Sequence, residues 1–381
     1  MTNNRYLVID TIRRVYQGKT TAFVLNRTDG YRDQGIVVDH FKVLYEQGEC
    51  PNGHELYEGV SHFFEGSVAY LDQLLNEHPY EKILLHFATE EVIKVLRKHQ
   101  CLDRLIVFVH GIETERWRRR WFNFGEVSLE EALERDQLDE GKMAFLREIY
   151  QHPHIQCVFV SRWMQAIAEA DTGVKVRNAH IIHNYIDGNK FPYVKKSPEK
   201  RRHILLIKSF ASRKYGGDLA MSAILELAKH PVFKGLTFTI IGDGALWEAE
   251  TEVLRAKKFP NVTFHRGFLT QEAIRQQHEK HGIFLSATRW DSQGVSMCEA
   301  MASGLVPVTH QVCGIPEFVD ETCGKLCEGE AVTGLVAGIL SLVHDPYAFL
   351  QMSQGAAKRM AIQCGVKQTI SRELGLIKGE S

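Results

Sequence analysis

Long hydrophobic runs are missing from this chain: none of its 381 residues lies in an apolar stretch near the ~20 that a membrane-spanning helix needs. A dominant charge is missing too. With 46 Lys and Arg against 47 Asp and Glu, the formal net charge is −1, so no bulk attraction to nucleic acid exists and any anionic partner must be held locally. Cysteine is sparse, at eight residues, and scattered rather than spaced as a disulfide framework. Cys323 and Cys327 lie four apart, but no second Cys or His pair completes a zinc site, so both read as core or loop thiols. The first residues, MTNNRYLVIDTIRRVY, lack the basic, apolar and small-residue succession of a secretory leader. Internal repeats and low-complexity tracts are also absent. These absences set the expectation of a soluble, cytoplasmic chain with reduced thiols.

Apolar content of 44% and charged content of 24% are ordinary for a globular protein, and the length suits two domains. Short β-rich runs alternate with helix-length amphipathic segments: RYLVID, KILLHF, LIVFVH, CVFVS, HILLI, LTFTIIG, NVTFH, GIFLSA and LVPV. Strands this apolar, separated by helices, are expected in parallel sheets covered on both faces. They are too many for one compact sheet. A break is expected within NYIDGNKFPYVKKSPEKRR, whose Gly, prolines and basic cluster have linker composition. The predicted architecture is therefore α/β, with two doubly wound Rossmann-like domains facing a central cleft. The expected extents are 1–190, 191–355 and a helical segment at 356–381 packing back on the first domain. Open parallel sheets bind ligands at the carboxyl ends of their strands, which makes the cleft the expected site.

The segment RWDSQGVSMCEAMASGLVPVTHQVCGIPE, Arg289 to Glu317, carries the most chemistry. Helical spacing places Val295, Cys298 and Met301 or Ala302 on one face of a helix, with Asp291 or Ser292 as its cap. Gly304 closes it. Free amides and the dipole make the helix start an anion site, and Glu299, in the second turn, can accept hydrogen bonds from a ribose diol. Gly314 removes a side chain where backbone approaches a ligand, and Pro316 and Glu317 suit the start of a further turn. Taken alone, the two carboxylates read equally as a cap and a solvated helix residue.

The whole string, D-x7-E-A-M-A-S-G-x-x-P-V followed by G-I-P-E, resembles the signature of glycosyltransferase family 4, the group 1 glycosyltransferases, which have the GT-B fold. That resemblance implies that Glu299 holds the donor ribose and Asp291 the donor sugar hydroxyls. Backbone at Gly294 and Val295, together with Ser292, would face the leaving phosphate. The family usually has Glu where this chain has Asp291, one methylene shorter, which bears on the choice of donor sugar. HILLIKSFASRKYGG resembles the family's phosphate clamp, with Lys208 and Arg213 at its spacing but the basic types exchanged, and Lys214 as an alternative to Arg213. IIGDGA resembles the family's GDG turn at Gly242, and FHRGFLT the loop whose backbone contacts the base, at Phe268 and Leu269. In the first half, Gly18 resembles the family's glycine loop and His110, at a strand's carboxyl end, its donor-sugar histidine.

The implied activity is metal-independent, retaining transfer of a sugar from a UDP- or GDP-sugar to a hydroxyl, with no cofactor beyond that co-substrate. The expected acceptor is a glycan, lipid-linked or phosphate-rich polymer of a bacterial cell envelope. Outside the family pattern, ERWRRRWFNFGE interleaves arginines and aromatics. Arg116 to Phe124 therefore suit a peripheral membrane contact or an anionic acceptor, or else arginines in solvent with tryptophans packed inward. Rival readings are a nucleotide-sugar epimerase of the same shape, a pyridoxal-phosphate-dependent phosphorylase, for which no sign exists, and a non-catalytic nucleotide-sugar-binding partner subunit of another transferase.

Overall fold

The computed structural model describes residues 6–11, 22–45, 52–57 and 61–380. Contacts divide the chain into two units: residues 1–119, 128–185 and 366–381, and residues 120–127 and 186–365.

The first unit holds an eight-stranded sheet. Its strands are β1 (Tyr6–Asp10), β2 (Asp39–Val43), β3 (Gly53–Tyr57), β4 (Ser61–Gly66), β5 (Lys82–His86), β6 (Leu105–Val109), β7 (Gln156–Phe159) and β8 (Ala179–Ile181). They run in the order β3-β4-β2-β1-β5-β6-β7-β8, all parallel except β3, which pairs antiparallel with β4 at one edge. The alternation of each strand divides two cores. Leu7 and Ile9 of β1 face one that is covered by the helices Val68–Glu77, Glu90–Lys98, Leu129–Gln151 and Arg162–Thr172. Val8 faces the other, under the helices Ala22–Asp33 and Ile370–Lys378. A sheet buried on both faces demands unbroken apolar strands, which is why these runs stand out in the sequence.

The second unit holds six parallel strands, β9 (His203–Ile207), β10 (Thr237–Gly242), β11 (Val262–Arg266), β12 (Ile283–Ser286), β13 (Val306–His310) and β14 (Lys325–Cys327), in the order β11-β10-β9-β12-β13-β14. Ile204 and Leu206 face a core shared with the helices Gly217–Leu227 and Val332–His344. Leu205 faces one shared with the helices Val295–Ala302 and Pro346–Gln363.

All nine predicted runs form strands. The expected linker does not behave as a solvated connector. The chain passes between units at Tyr185 and Ile186 rather than at residue 190, and much of the segment from 186 to 202 is packed into the second unit. Lys196 is buried and donates to the carbonyl of His278 at 2.6 Å, and Arg201 donates to that of Val343 at 2.8 Å. The basic cluster thus satisfies buried backbone carbonyls. The terminal segment divides at residue 366: only residues 366–381 group with the first unit. Their anchor is Glu373, which pairs with the fully buried Arg27 at 3.0 Å and accepts from Tyr31. The cysteines in the second half are buried or half-buried free thiols.

Tandem glycines fix how the loop after β9 meets β12. Gly216 has φ +65°, and a Cβ there would lie 1.7 Å from the carbonyl oxygen of Ala287. Gly216→Ala is therefore expected to cost ~3 kcal/mol or more, from a left-handed backbone and a clash with main chain that has no rotamer to change. Urea unfolding reads this directly, and a loss below ~1 kcal/mol would show that the loop can shift.

Candidate active site

The carboxyl ends of β9 and β12 in the second unit bring together the residues singled out by the sequence. Asp291 follows β12, but neither it nor Ser292 caps the helix as expected: the N-cap is Gly294, without a side-chain cap, and Asp291 instead closes the turn before it. Its Oδ1 accepts from the amides of Gly294, at 2.7 Å, and Gln293, at 3.3 Å. Ser292 is buried beside it, and Gly294, with φ +75°, is the residue that starts the helix Val295–Ala302. The backbone of Asp291 also ties down the Gly-Ile-Pro-Glu turn, because its carbonyl accepts from the Gly314 amide at 3.1 Å. Gly314 itself has φ −80°, an ordinary backbone conformation; the left-handed residue of that turn is Cys313, at φ +51°.

Lys208 directly follows β9. Its side chain is 5% exposed, with Nζ 3.5 Å from Asp291 Oδ2 and 5.9 Å from the centre of the Tyr215 ring. The GDG turn explains how it gets there. The Lys208 amide donates to the carbonyl of Ile241, and a Cβ on Gly242 would sit 1.9 Å from the carbonyl of Lys208. Gly242 is thus a seat for the Lys208 loop, and its close approach is to the chain's own backbone. The Gly267 amide donates to the Gly242 carbonyl at 3.0 Å, which carries the Phe268–Leu269 loop to the same end of the sheet. Phe268 is exposed there, while Leu269 packs partly into the core.

Arg213 and Lys214 lie in a short turn, Arg213–Tyr215, capped by Ser212. The Lys214 ammonium sits over two rings, 4.8 Å from the centre of Tyr215 and 5.4 Å from that of Trp290. Glu250 faces the same region; burial, then Asp218, push its carboxyl up to about 7, opposed by Arg289 and Arg213.

Glu299 differs from its expected solvated alternative. The helix Val295–Ala302 is apolar on nearly every side, and Met297 through Met301 are all buried, Glu299 among them. Among the described residues its carboxylate has no hydrogen-bond or ion-pair partner within 4 Å. Burial pushes its pKa up to about 8, with Lys190 acting in the opposite direction. A buried carboxyl group without a protein partner is a candidate for hydrogen bonds from a ligand.

In the first unit, His110 stands just past β6, 7% exposed. Its Nε2 is 2.9 Å from His86 Nδ1, and the rings of Phe23 and Phe87 lie 4.9 and 4.6 Å away. Burial first, then Arg27, hold its pKa well below the ordinary imidazole value, while Asn184 acts the other way. His110 is therefore a neutral ring set in an aromatic cage. Gly18 lies outside the described residues.

The arginine-rich segment is not a free basic patch. Arg116 pairs with Glu140 at 2.5 Å, Arg118 donates to Asp136 at 2.8 Å, and Arg119 pairs with Asp171 at 2.6 Å. Trp117 is buried and donates to Asp136 at 2.7 Å, whereas Trp121 and Phe124 are exposed. Carboxylates thus neutralise three cations that the sequence offered to an anionic surface. The variant Arg116→Ala, Arg118→Ala, Arg119→Ala is expected to lower the melting temperature while changing affinity for phosphatidylglycerol vesicles less than twofold. A tenfold loss of vesicle binding in a flotation assay would restore the membrane reading.

Sequence reasoning missed Gly216, Gly217, Asp218, Arg289 and Trp290, which build the cation loop. The tandem Gly-Gly after Arg-Lys-Tyr was the available signal. Among the described residues, no group of three or more His, Cys, Asp or Glu is placed to hold a metal ion.

Two doubly wound, mostly parallel α/β sheets give the chain the GT-B fold. Residues 201–345, within the second unit, match the family model for Glycosyl transferases group 1. The chain is 25% identical over 182 residues to a glycogen synthase of Mycobacterium tuberculosis, a match covering 47% of this chain and 43% of that protein. It therefore spans less than half the length of that curated relative. Among solved structures, a sucrose-phosphate synthase from Thermosynechococcus elongatus superposes with TM-score 0.75 at 15% identity, covering 99% of each chain. Anabaena HepE in complex with UDP and glucose superposes with TM-score 0.69 at 16% identity, covering 98% of this chain and all of that one.

Proposed function

We propose that this protein is a retaining glycosyltransferase that moves a sugar from a nucleotide diphosphate sugar to a hydroxyl of a glycan acceptor. The observation that carries the reading is the approach of Lys208 Nζ to Asp291 Oδ2, 3.5 Å, at the strand ends of the family-matched unit. Arg213 and Lys214 stand in the adjacent turn, and Glu299 is buried on the helix that begins after Gly294, whose amide donates to Asp291. UDP is the favoured nucleotide, since a GT-B neighbour is solved with UDP and glucose. A GDP-sugar is the second choice.

In this mechanism Glu299 accepts from the ribose diol and Asp291, through Oδ2, orients the sugar. Lys208, Arg213 and the amides at Gly294 and Val295 meet charge developing on the departing diphosphate. The bond from the anomeric carbon to the phosphate oxygen breaks while the acceptor oxygen bonds to the same face of that carbon. The acceptor proton passes to the leaving phosphate oxygen, so no side chain need act as a strong base. Charge neutralisation comes from side chains and amides, and no metal ion takes part. His110, at a strand end of the first unit, offers a neutral imidazole. The acceptor proposed is a cell-envelope glycan, lipid-linked or polymeric, recognised by features other than the neutralised arginines.

The test is nucleoside diphosphate release from UDP-glucose, UDP-N-acetylglucosamine and GDP-mannose, with and without a panel of glycan acceptors. Acceptor-dependent release, with a product of the donor's anomeric configuration, is expected. Donor isomerised without an acceptor would instead make the protein an epimerase. Nucleotide bound with no turnover on any acceptor would make it a binding subunit.

A further inference from the structure

We propose that Arg289 is a positioning residue for the diphosphate: it locks the Arg213–Tyr215 turn against the loop that carries Asp291, so that cations and carboxylate arrive as one unit. The proposal rests on the donor-site reading above and adds to it a residue that does not itself touch the donor.

The geometry is specific. The Arg289 guanidinium is 10% exposed, and its donors reach three elements. Two of its nitrogens form a fork on Asp218, Nη1 to Oδ1 and Nη2 to Oδ2, both at 2.7 Å. Nη1 also donates to the carbonyl of Arg213 at 3.0 Å, and Nε donates to Glu330 at 2.7 Å. The backbone repeats the tie: the amides of Arg289 and Trp290 donate to the carbonyl of Lys214 at 2.8 and 3.2 Å. That same carbonyl accepts from the Thr288 hydroxyl at 3.0 Å. The turn bearing Arg213 and Lys214 is thus held from both sides by the residues just before Asp291. A planar fork fixes direction as well as distance, which a lysine at 289 could not do.

Free cations on a loop neutralise a diphosphate only after the loop has been ordered, at a cost in entropy. Ordering it beforehand favours binding of the phosphates selectively and leaves recognition of the base and ribose alone. That selectivity separates positioning from general damage to the fold.

The experiment measures, by isothermal calorimetry, the affinities of UDP and uridine, and of GDP and guanosine, for wild type, Arg289→Gln and Asp218→Asn. The same substitution at 289 is also made in an Arg213→Ala, Lys214→Ala background. Expected is a tenfold or greater loss for the diphosphate in Arg289→Gln, a smaller loss in Asp218→Asn, and less than a twofold change for the nucleoside. In the Arg213→Ala, Lys214→Ala background the substitution should have almost no further effect, because coupled residues are not additive. Equal losses for diphosphate and nucleoside, no loss for either, or full additivity in that background would overturn the proposal. If Arg289→Gln does not fold, Asp218→Asn carries the same comparison. Wild type that binds neither diphosphate would overturn the donor-site reading itself, an outcome distinct from wild type and variant binding alike.

Discussion

Glu299→Gln is expected to lower affinity for the nucleotide about a hundredfold while making the unliganded protein more stable above pH 8. The two effects have opposite sign because they come from one cause. The Glu299 carboxyl is raised from its ordinary 4.5 to about 8 by burial, so between those values the native state holds a proton that the unfolded chain has released. Stability contributed by this group therefore falls as pH rises from about 4.5 to about 8, and the full penalty of the buried charge applies above that. At ~1.4 kcal/mol per unit, the penalty is at most about 5 kcal/mol. A buried amide carries its own desolvation cost of ~1–3 kcal/mol, so a net gain of ~2 kcal/mol is expected at pH 9 and almost none at pH 5. A carboxylate kept for structural reasons would show the reverse, since its removal would destabilise the fold. On the binding side, above pH 8, where the carboxyl is ionised, hydroxyl hydrogen bonds to a charged acceptor contribute ~1.5–3 kcal/mol, enough for the hundredfold loss. Melting temperature against pH, alongside a nucleotide titration, reads both effects; destabilisation at pH 9 would remove the functional role assigned here.

Lys208→Met is expected to reduce kcat by two to three orders of magnitude at saturating donor, with a smaller change in donor KM. The methionine keeps the packing of the chain and removes only the charge. The ammonium is the cation fixed deepest at the site, 5% exposed and 3.5 Å from Asp291. Its contribution grows as negative charge builds on the leaving diphosphate, so the transition state loses more than the bound donor does. Removing one preorganised charge-stabilising group typically costs ~3–4 kcal/mol of barrier. Asp291 keeps its hydrogen bonds from Gly294 and Gln293, so its carboxylate stays placed in the variant. Single-turnover rates under saturating donor provide the measurement. Activity within threefold of wild type would show that the leaving group is neutralised elsewhere.

Much of the fold was legible because strands buried on both faces must be written in continuous apolar residues, and nine such runs formed strands. What escaped was what those conditions do not govern. β2, DHFKV, is fully buried yet carries His40 and Lys42, because Lys42 pairs with Asp10 of the neighbouring strand at 3.3 Å; a polar residue with a buried partner looks like a surface residue in one dimension. β8 and β14, at sheet edges, have only three residues each, too short for any periodicity. In the site, Asp291, Glu299, Lys208 and Arg213 were named through a resemblance to family motifs, and the structure sets Lys208 3.5 Å from Asp291 at the strand ends of the second unit. Arg289 was not named, since its meaning depends on Asp218 and Glu330, 71 and 41 residues away. The basic segments misled in the same way. Arg116, Arg118 and Arg119 looked available until the helix Leu129–Gln151 and Asp171 supplied their carboxylates.

The central claim is that the second unit holds a nucleotide diphosphate through Glu299. It is tested most directly by thermal shift of the purified protein with UDP, GDP, ADP and CMP, in parallel on wild type and Glu299→Gln. At a hundred times its dissociation constant, a nucleotide that binds only the folded protein adds ~2.7 kcal/mol, a shift of several degrees. One nucleotide, UDP first among them, should stabilise the wild type and leave the variant unmoved at the same concentration. Equal stabilisation of both proteins, or none of either by any nucleotide, would contradict it.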